Sequence, residues 1–282
     1  MEASFRFSHT FGFVDTPQAG PHLEYIRALQ PPLGELFYEP GWRSEGWLAA
    51  IEGLLADTGL KVASLHSAFG TPYDLSLLDT EAREHSIEVV LDSLAMQERF
   101  DGDLIVVHAS SEPVEPAERE ARLEAARESI TRIGEAFAAK GLRLALELLP
   151  RTCLGNCPDE LFYLLQDLSQ SDCGICLDTN HPPQPADLLP MMDELGESII
   201  HLHISDFDGV ERHWLPYEGT IDWHGFMEKL VGLGYSGAFN YEVFPTHETT
   251  WEKVDALIGS YVRLLDEVSL EPNPADEAWL TD

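Results

Sequence analysis

Basic residues are what this chain has least of. Its 282 residues carry 17 Lys plus Arg against 50 Asp plus Glu, a formal charge of -33. Only four are Lys: Lys61, Lys140, Lys229 and Lys253. Such a surface repels polyanions, so no nucleic-acid partner is expected. An acidic excess with little Lys suits a salt-adapted, heavily hydrated surface, or simply an acidic protein, since net charge speaks to solubility and not to fold. Also missing is any apolar run of about 18 residues, so no membrane span is expected. The opening MEASFRFSHTFGF has neither the basic region nor the long apolar stretch of a secretory signal, which makes a cytoplasmic protein the expectation. No G-x-G-x-x-G turn follows a strand-like segment, which counts against a dinucleotide-binding fold. Cysteine is scarce. Cys153 and Cys157 are spaced too widely for the usual zinc pair, and Cys173 and Cys176 stand three apart in a strand-like run, where side chains point to opposite faces. Buried reduced thiols are expected instead.

What is present is alternation. Apolar, strand-like segments fall at residues 4–8, 33–38, 61–65, 104–107, 142–148, 174–177, 198–204 and 238–243. Helical patterns lie between them, at 23–29, 44–58, 79–99, 116–140, 158–168, 185–195, 222–233 and 249–267. The 116–140 segment opens with Pro and acids and closes on Lys140-Gly141, the end chemistry of a helix. Eight strands alternating with helices in this length predict an α/β fold, a single (β/α)8 TIM barrel spanning 1–269. An acidic C-terminal tail, 270–282, carries two Pro and is expected to lie on the surface or fray.

In such a barrel, polar residues at the C-terminal ends of strands carry the chemistry. From the third strand on, every one ends in a ligand type: His66, His108, Glu147, Asp178 with His181, His201 with His203, and Glu242. Parity puts Leu142, Leu144, Leu146 and Leu148 on one face of strand five and Glu147 on the other, toward the axis. A carboxylate there is costly unless it is paired or metal-bound. Carboxylates and imidazole converging on one axis form an oxygen/nitrogen set suited to one divalent metal, Mn, Mg, Co, Fe or Zn, without choosing among them. Each residue alone has a plainer reading: a strand-end His is often a hydrogen-bonded core residue, and Asp178 has the position of a helix N-cap. The count of six consecutive strands favours the metal site.

The segments LALELLPRTCLGN, GICLDTNH, IIHLHISDFDG, RHWLPYEGTIDW and NYEV resemble the xylose isomerase-like barrel superfamily, and within it the sugar phosphate isomerase/epimerase group. That resemblance implies that Glu147, Asp178, His203 and Glu242 hold the metal and that Glu147 and Glu242 are the catalytic acid/base pair. It makes His181 a substrate-binding residue, with Arg212 near the family's substrate-binding Arg. His66, His108 and His213 join them as candidate substrate contacts. The implied reaction is isomerisation or epimerisation of a ketose or related polyol through removal of the proton beside a carbonyl. The catalytic Lys of classical xylose isomerases has no counterpart, since none of the four Lys stands at a strand's C-terminal end.

The alternatives keep the barrel and change the chemistry. His66, His108, Glu147, Asp178, His181, His203 and Glu242, with Glu211-Arg-His213, also fit the order of the endonuclease IV zinc phosphodiesterases that act on abasic DNA; the acidic balance stands against them. Inosose dehydratase-like lyases share the proton abstraction and then expel water. A metal-less sensor would have lost ligands, and none of the four is lost. Trp214, Tyr217 and Trp223 are candidate sugar-stacking rings, Trp223 having a plainer role in packing the helix it begins. His9 stands near the end of strand one with even claims on ligand and core. His201 is expected to be packed and hydrogen-bonded, and His22, His85, His224 and His247 to be on the surface. The partner expected is a small sugar-like molecule, with homo-oligomerisation left open.

Overall fold

The computed structural model describes residues 4–12, 19–38, 40, 44–244 and 249–281. Eight parallel strands close on themselves in sequence order. They are β1 (Arg6–Phe11), β2 (Leu33–Phe37), β3 (Lys61–His66), β4 (Leu104–Val107), β5 (Arg143–Glu147), β6 (Cys173–Asp178), β7 (Ile199–Ile204) and β8 (Ala238–Tyr241). The main helices around them are α1 (Ala19–Leu29), α2 (Glu45–Thr58), α3 (Thr80–Leu91), α4 (Ser93–Phe100), α5 (Arg119–Ala138), α6 (Pro158–Leu165), α7 (Leu188–Leu195), α8 (Trp223–Leu233), α9 (Thr250–Asp266) and α10 (Glu277–Thr281). The predicted (β/α)8 barrel is the fold found. Among the described residues no helix is long and apolar enough to cross a membrane.

Local chemistry sets the helix ends. Ser44, Asp79 and Asp222 each accept a first-turn amide, and Thr249 with Glu252 forms a reciprocal capping box, satisfying amides that a helix leaves free. Helix α2 stops at Gly59, whose φ of 72° suits a residue without Cβ. The single helix expected over 79–99 is two helices that part at Asp92. Strand β1 begins two residues later than predicted and runs to Phe11, because the pairing with β2 and β8 overrides the weak alternation of its sequence.

Two cores result. Between barrel and helices lies the large apolar layer that includes Phe7, Trp47, Phe137, Phe226 and Tyr261. Inside the barrel a small plug of Leu104, Val106, Ala145 and Cys176, with Ile200 against it, fills the lower half. Cys173 packs in the outer layer and Cys176 in the inner one, as their spacing predicts. The acidic C-terminal segment lies mostly at the surface and is anchored at two residues. Asp276 is fully buried and takes the Phe7 amide and the Arg6 guanidinium, each at 2.7 Å, while Trp279 stacks on Phe7 at 4.1 Å. One buried carboxylate and one indole tie down a stretch whose composition reads as loose.

Candidate metal centre and active site

Register fixes which side chains meet. Asp178 on β6 stands beside His203 on β7, and Glu147 on β5 beside Cys176. The pairing of β6 with β7 shifts by one residue between Ile175 and Cys176, which advances the His201 and His203 rings along the barrel. Glu242 follows β8 directly, its amide bonded to the Ile204 carbonyl.

One nitrogen is the meeting point. His203 Nδ1 lies 3.2 Å from Glu242 Oε2, 3.6 Å from Glu147 Oε2 and 3.8 Å from Asp178 Oδ2. His203 and Asp178 are fully buried, Glu147 is buried, and Glu242 keeps slight access to solvent. Buried polar atoms are normally satisfied, yet His203 Nδ1 and Asp178 Oδ2 make no hydrogen bond. Burial raises the Asp178 carboxyl to about 6. Burial would raise Glu147 and Glu242 as well, but the imidazoles beside them prevail: His108 and His203 draw Glu147 well below the carboxylate range, and His203 with His213 holds Glu242 at about 2. Three carboxylates and an imidazole nitrogen, two of them with bare buried atoms, fit a divalent cation.

Other imidazoles close the walls. His66 Nδ1–H donates to the Ser67 carbonyl at 2.9 Å and turns Nε2 to Glu147 Oε2 at 3.2 Å; His108 Nε2 meets the same oxygen at 2.9 Å. His181 Nδ1–H donates to the Leu148 carbonyl at 2.7 Å. His66, His108 and Glu147 form a second group of donor atoms close enough to share an ion, as do Glu147, Asp178 and His181. Burial works against a charge on His213, but its contact with Glu211 and the nearby Glu242 carboxylate raise it to about 9, and Glu211 is held near 2 by His213 first and Arg151 second.

Above these groups a cavity of about 280 Å³ opens to solvent, lined by His66, His108, Glu147, His181, His213 and Glu242 among others. Phe69 forms its apolar wall, its ring 4.3 Å from that of His108. Arg151 supplies the guanidinium in this lining. It bonds to Glu112 at 2.9 Å and pairs with Glu211, tying three loops across the mouth. Arg151 (φ 50°) and His213 (φ 51°) both hold left-handed backbone, a conformation costly outside glycine and concentrated at working sites.

Several residues singled out in the sequence lie elsewhere. The Arg212 guanidinium sits 5.1 Å over Trp214 and beside Asp208, and neither Arg212 nor Trp214 lines the cavity. Tyr217 lies under Arg263, and Trp223 is buried with its Nε1–H donated to Asp206. Asp206 also takes the amides of Phe207, Tyr217 and Ile221 and so staples the loop after β7; a Cβ on Gly219 would stand 2.3 Å from it. His9 is enclosed in β1 against Tyr25, and His22 is half-buried rather than exposed. His85 and His224 are exposed, and His247 lies outside the described residues. Sequence reading passed over Glu35, a fully buried carboxylate on β2 whose Oε2 lies 2.8 Å from His201 Nε2 and whose Oε1 lies 3.0 Å from His203 Nε2. The only signal was one acid in the apolar run LGELF.

With this geometry in place, comparison with known proteins adds the following. A family described as xylose isomerase-like TIM barrel matches residues 26–259. An uncharacterised protein of Methanocaldococcus jannaschii is 24% identical over 207 residues, 71% of this chain and 70% of its own. Fructoselysine 3-epimerase of Escherichia coli O157:H7 is 24% identical over 180 residues, 62% of this chain and 64% of the enzyme. Among solved structures, a D-tagatose 3-epimerase-like protein superposes with a TM-score of 0.77 at 21% identity, covering 94% of this chain and 100% of that one. An L-ribulose 3-epimerase gives 0.75 at 18% identity, covering 94% and 96%.

Proposed function

The chain belongs to the xylose isomerase-like TIM barrel family, and from that premise we propose that it is a metal-dependent isomerase or epimerase of a ketose or related polyol. The observation that carries this reading is the gathering of Glu147, Asp178 and Glu242 within 3.8 Å of His203 Nδ1, at the floor of a cavity that opens at that end of the barrel. The sugar epimerases among its relatives support the same class.

In this reading Glu147, Asp178, His203 and Glu242 hold one divalent cation. When bound, such a cation polarises a substrate carbonyl and stabilises the enediolate that forms beside it. Glu147 rises from β5 and Glu242 follows β8, so their carboxylates reach the cavity from different sides of the barrel. One takes the proton from the carbon next to the carbonyl, and the other returns a proton to the opposite face. Both are held ionised by neighbouring imidazoles, the state a base needs. His181, His66, His108 and His213 border the same space with ring nitrogens and serve to bind substrate hydroxyls. Arg151, rather than Arg212, is the guanidinium that meets the ligand, because it lines the cavity.

The test is deuterium exchange. Manganese-loaded protein is incubated with a panel of ketoses in deuterated water, and label at the carbon beside the carbonyl is read by mass spectrometry. Label with unchanged sugar formula supports the proposal, and E242Q abolishes it. Full turnover by E242Q with normal metal content sinks the acid/base assignment. Loss of water from the product would make the enzyme a lyase, a chemistry represented by 3-dehydroshikimate dehydratase of Pseudomonas aeruginosa, which matches this chain over 127 residues at 28% identity.

A further inference from the structure

Beneath the cavity, on the side of His203 that faces away from it, lies a carboxylate that the proposed reaction does not use. Glu35 is fully buried and comes from β2, across the barrel from β7. Its Oε2 accepts from Ser64 Oγ at 2.9 Å and meets His201 Nε2 at 2.8 Å. Its Oε1 stands 3.0 Å from His203 Nε2. That last contact is close but off the hydrogen-bonding direction, so it holds the ring by charge more than by line. Two irregularities in the sheet bring these groups together. The β2–β3 pairing shifts at Gly34/Glu35, which sets Ser64 opposite Glu35, and the β6–β7 pairing shifts just before His201. Such shifts re-aim side chains and weaken the ladder locally, and here both re-aim toward one buried acid.

A carboxylate this deep is expensive unless something needs it. His203 is the only group that touches both Glu35 and the three carboxylates of the centre among the described residues. An imidazole has one ring nitrogen for each side. With Nε2 set against Glu35, Nδ1 faces Glu147, Asp178 and Glu242, the direction a metal ligand requires. We infer that Glu35 is a positioning residue: it fixes the ring plane of His203 so that Nδ1 is presented to the cation, and His201 and Ser64 hold Glu35 in that role. The inference rests on the proposed metal site and concerns how that site is preset.

The experiment combines ring nitrogen NMR of ¹⁵N-histidine-labelled protein with manganese binding followed by the EPR signal of the free ion. The chemical shifts of the His203 ring nitrogens report whether its surroundings change in E35Q and in E35D. E35Q replaces one acceptor oxygen with an NH₂ donor, so the two imidazoles compete for one oxygen. Its manganese affinity is expected to fall about 10–100-fold, the usual effect of losing a carboxylate behind a ligating imidazole. V106A, a plug substitution remote from Glu35 in chemistry, is the control: it lowers the melting temperature and leaves manganese affinity unchanged. E35Q binding manganese within about twofold of wild type overturns the inference. Should E35Q fail to fold, E35D, which keeps the charge and withdraws it from His203, decides by the same two outcomes. A folded wild type that takes up no manganese removes the metal site itself, and this inference with it.

Discussion

At the lower end of the barrel Leu104, Val106, Ala145, Cys176 and Ile200 pack into an apolar plug whose one thiol, on Cys176, meets His203. At the upper end Glu147, Asp178, His203 and Glu242 crowd together, and three of their buried atoms, Asp178 Oδ2 and both ring nitrogens of His203, have no hydrogen bond. Between them is a polar layer whose main bonds are made: Ser8 donates to Asn240, Asn240 to Thr10, and Ser64 to Glu35. The same eight strands thus carry an apolar part, a part crowded with charged and unbonded polar atoms, and a hydrogen-bonded part between them. Removing atoms from the plug costs folding free energy and leaves chemistry alone. Removing charge from the mouth costs chemistry, and at Asp178, whose carboxyl burial raises to about 6, it also removes a disfavoured charge in the absence of the ion.

The sharpest way to break that contrast is at Glu147. E147Q is expected to lower turnover by about 10²–10⁴-fold, the range for a lost acid/base group, and to lower the melting temperature of the metal-free protein slightly, because neighbouring imidazoles hold Glu147 ionised. A large fall in melting temperature would mean that the mouth is structural after all. The converse substitution is V106A in the plug. It is expected to cost about 1–3 kcal/mol of stability by leaving a cavity, read by denaturant melting, with turnover unaffected.

The polar rim of the mouth gives a pH-dependent version of the comparison. His213 is raised to about 9 from an ordinary 6.5, after burial has worked against it, by Glu211 and Glu242. A raised imidazole contributes stability that is complete below pH 6.5 and is lost as pH rises through about 9. E211Q should therefore destabilise the protein by about 1.5 kcal/mol at pH 6, on the scale of a hydrogen bond to a charged group. The His213 part of the difference should be lost above about pH 9, leaving the part that comes from the Arg151–Glu211 pair; melting curves across pH would show it. A difference constant with pH contradicts the assignment. The smallest effect is expected at Arg212, whose guanidinium faces Trp214 and solvent: R212A should change stability within about 0.5 kcal/mol and leave KM unchanged, while R151A raises KM. The opposite ranking would restore the sequence expectation for Arg212.

Much of the fold was legible because a closed barrel repeats one pattern eight times, and strands buried on both faces read as short apolar runs. The mouth was legible because His, Asp and Glu are rare at buried strand ends without a reason, so Glu147, Asp178, His203 and Glu242 stood out as residue types. Glu35 did not. It lies mid-strand, its partners His201 and Ser64 come from two other strands, and the register shifts that join them leave no mark in the sequence. Arg151 and Arg212 show a second limit. Both follow a strand, and only loop conformation, with Arg151 at φ 50°, decides which guanidinium reaches the cavity. The C-terminal tail shows a third, since Asp276 and Trp279 find partners in β1 and at Leu29 that no local pattern announces.

The central claim is that the orphaned groups at the mouth exist to hold a divalent ion. Metal content of the purified protein, set against D178A after the same reconstitution, tests it directly. The account predicts about one equivalent of Mn, Mg, Co, Fe or Zn per chain in the wild type and loss of it in D178A. No metal in either protein would contradict the account, and about three equivalents of zinc would contradict the sugar reading in favour of phosphodiester hydrolysis.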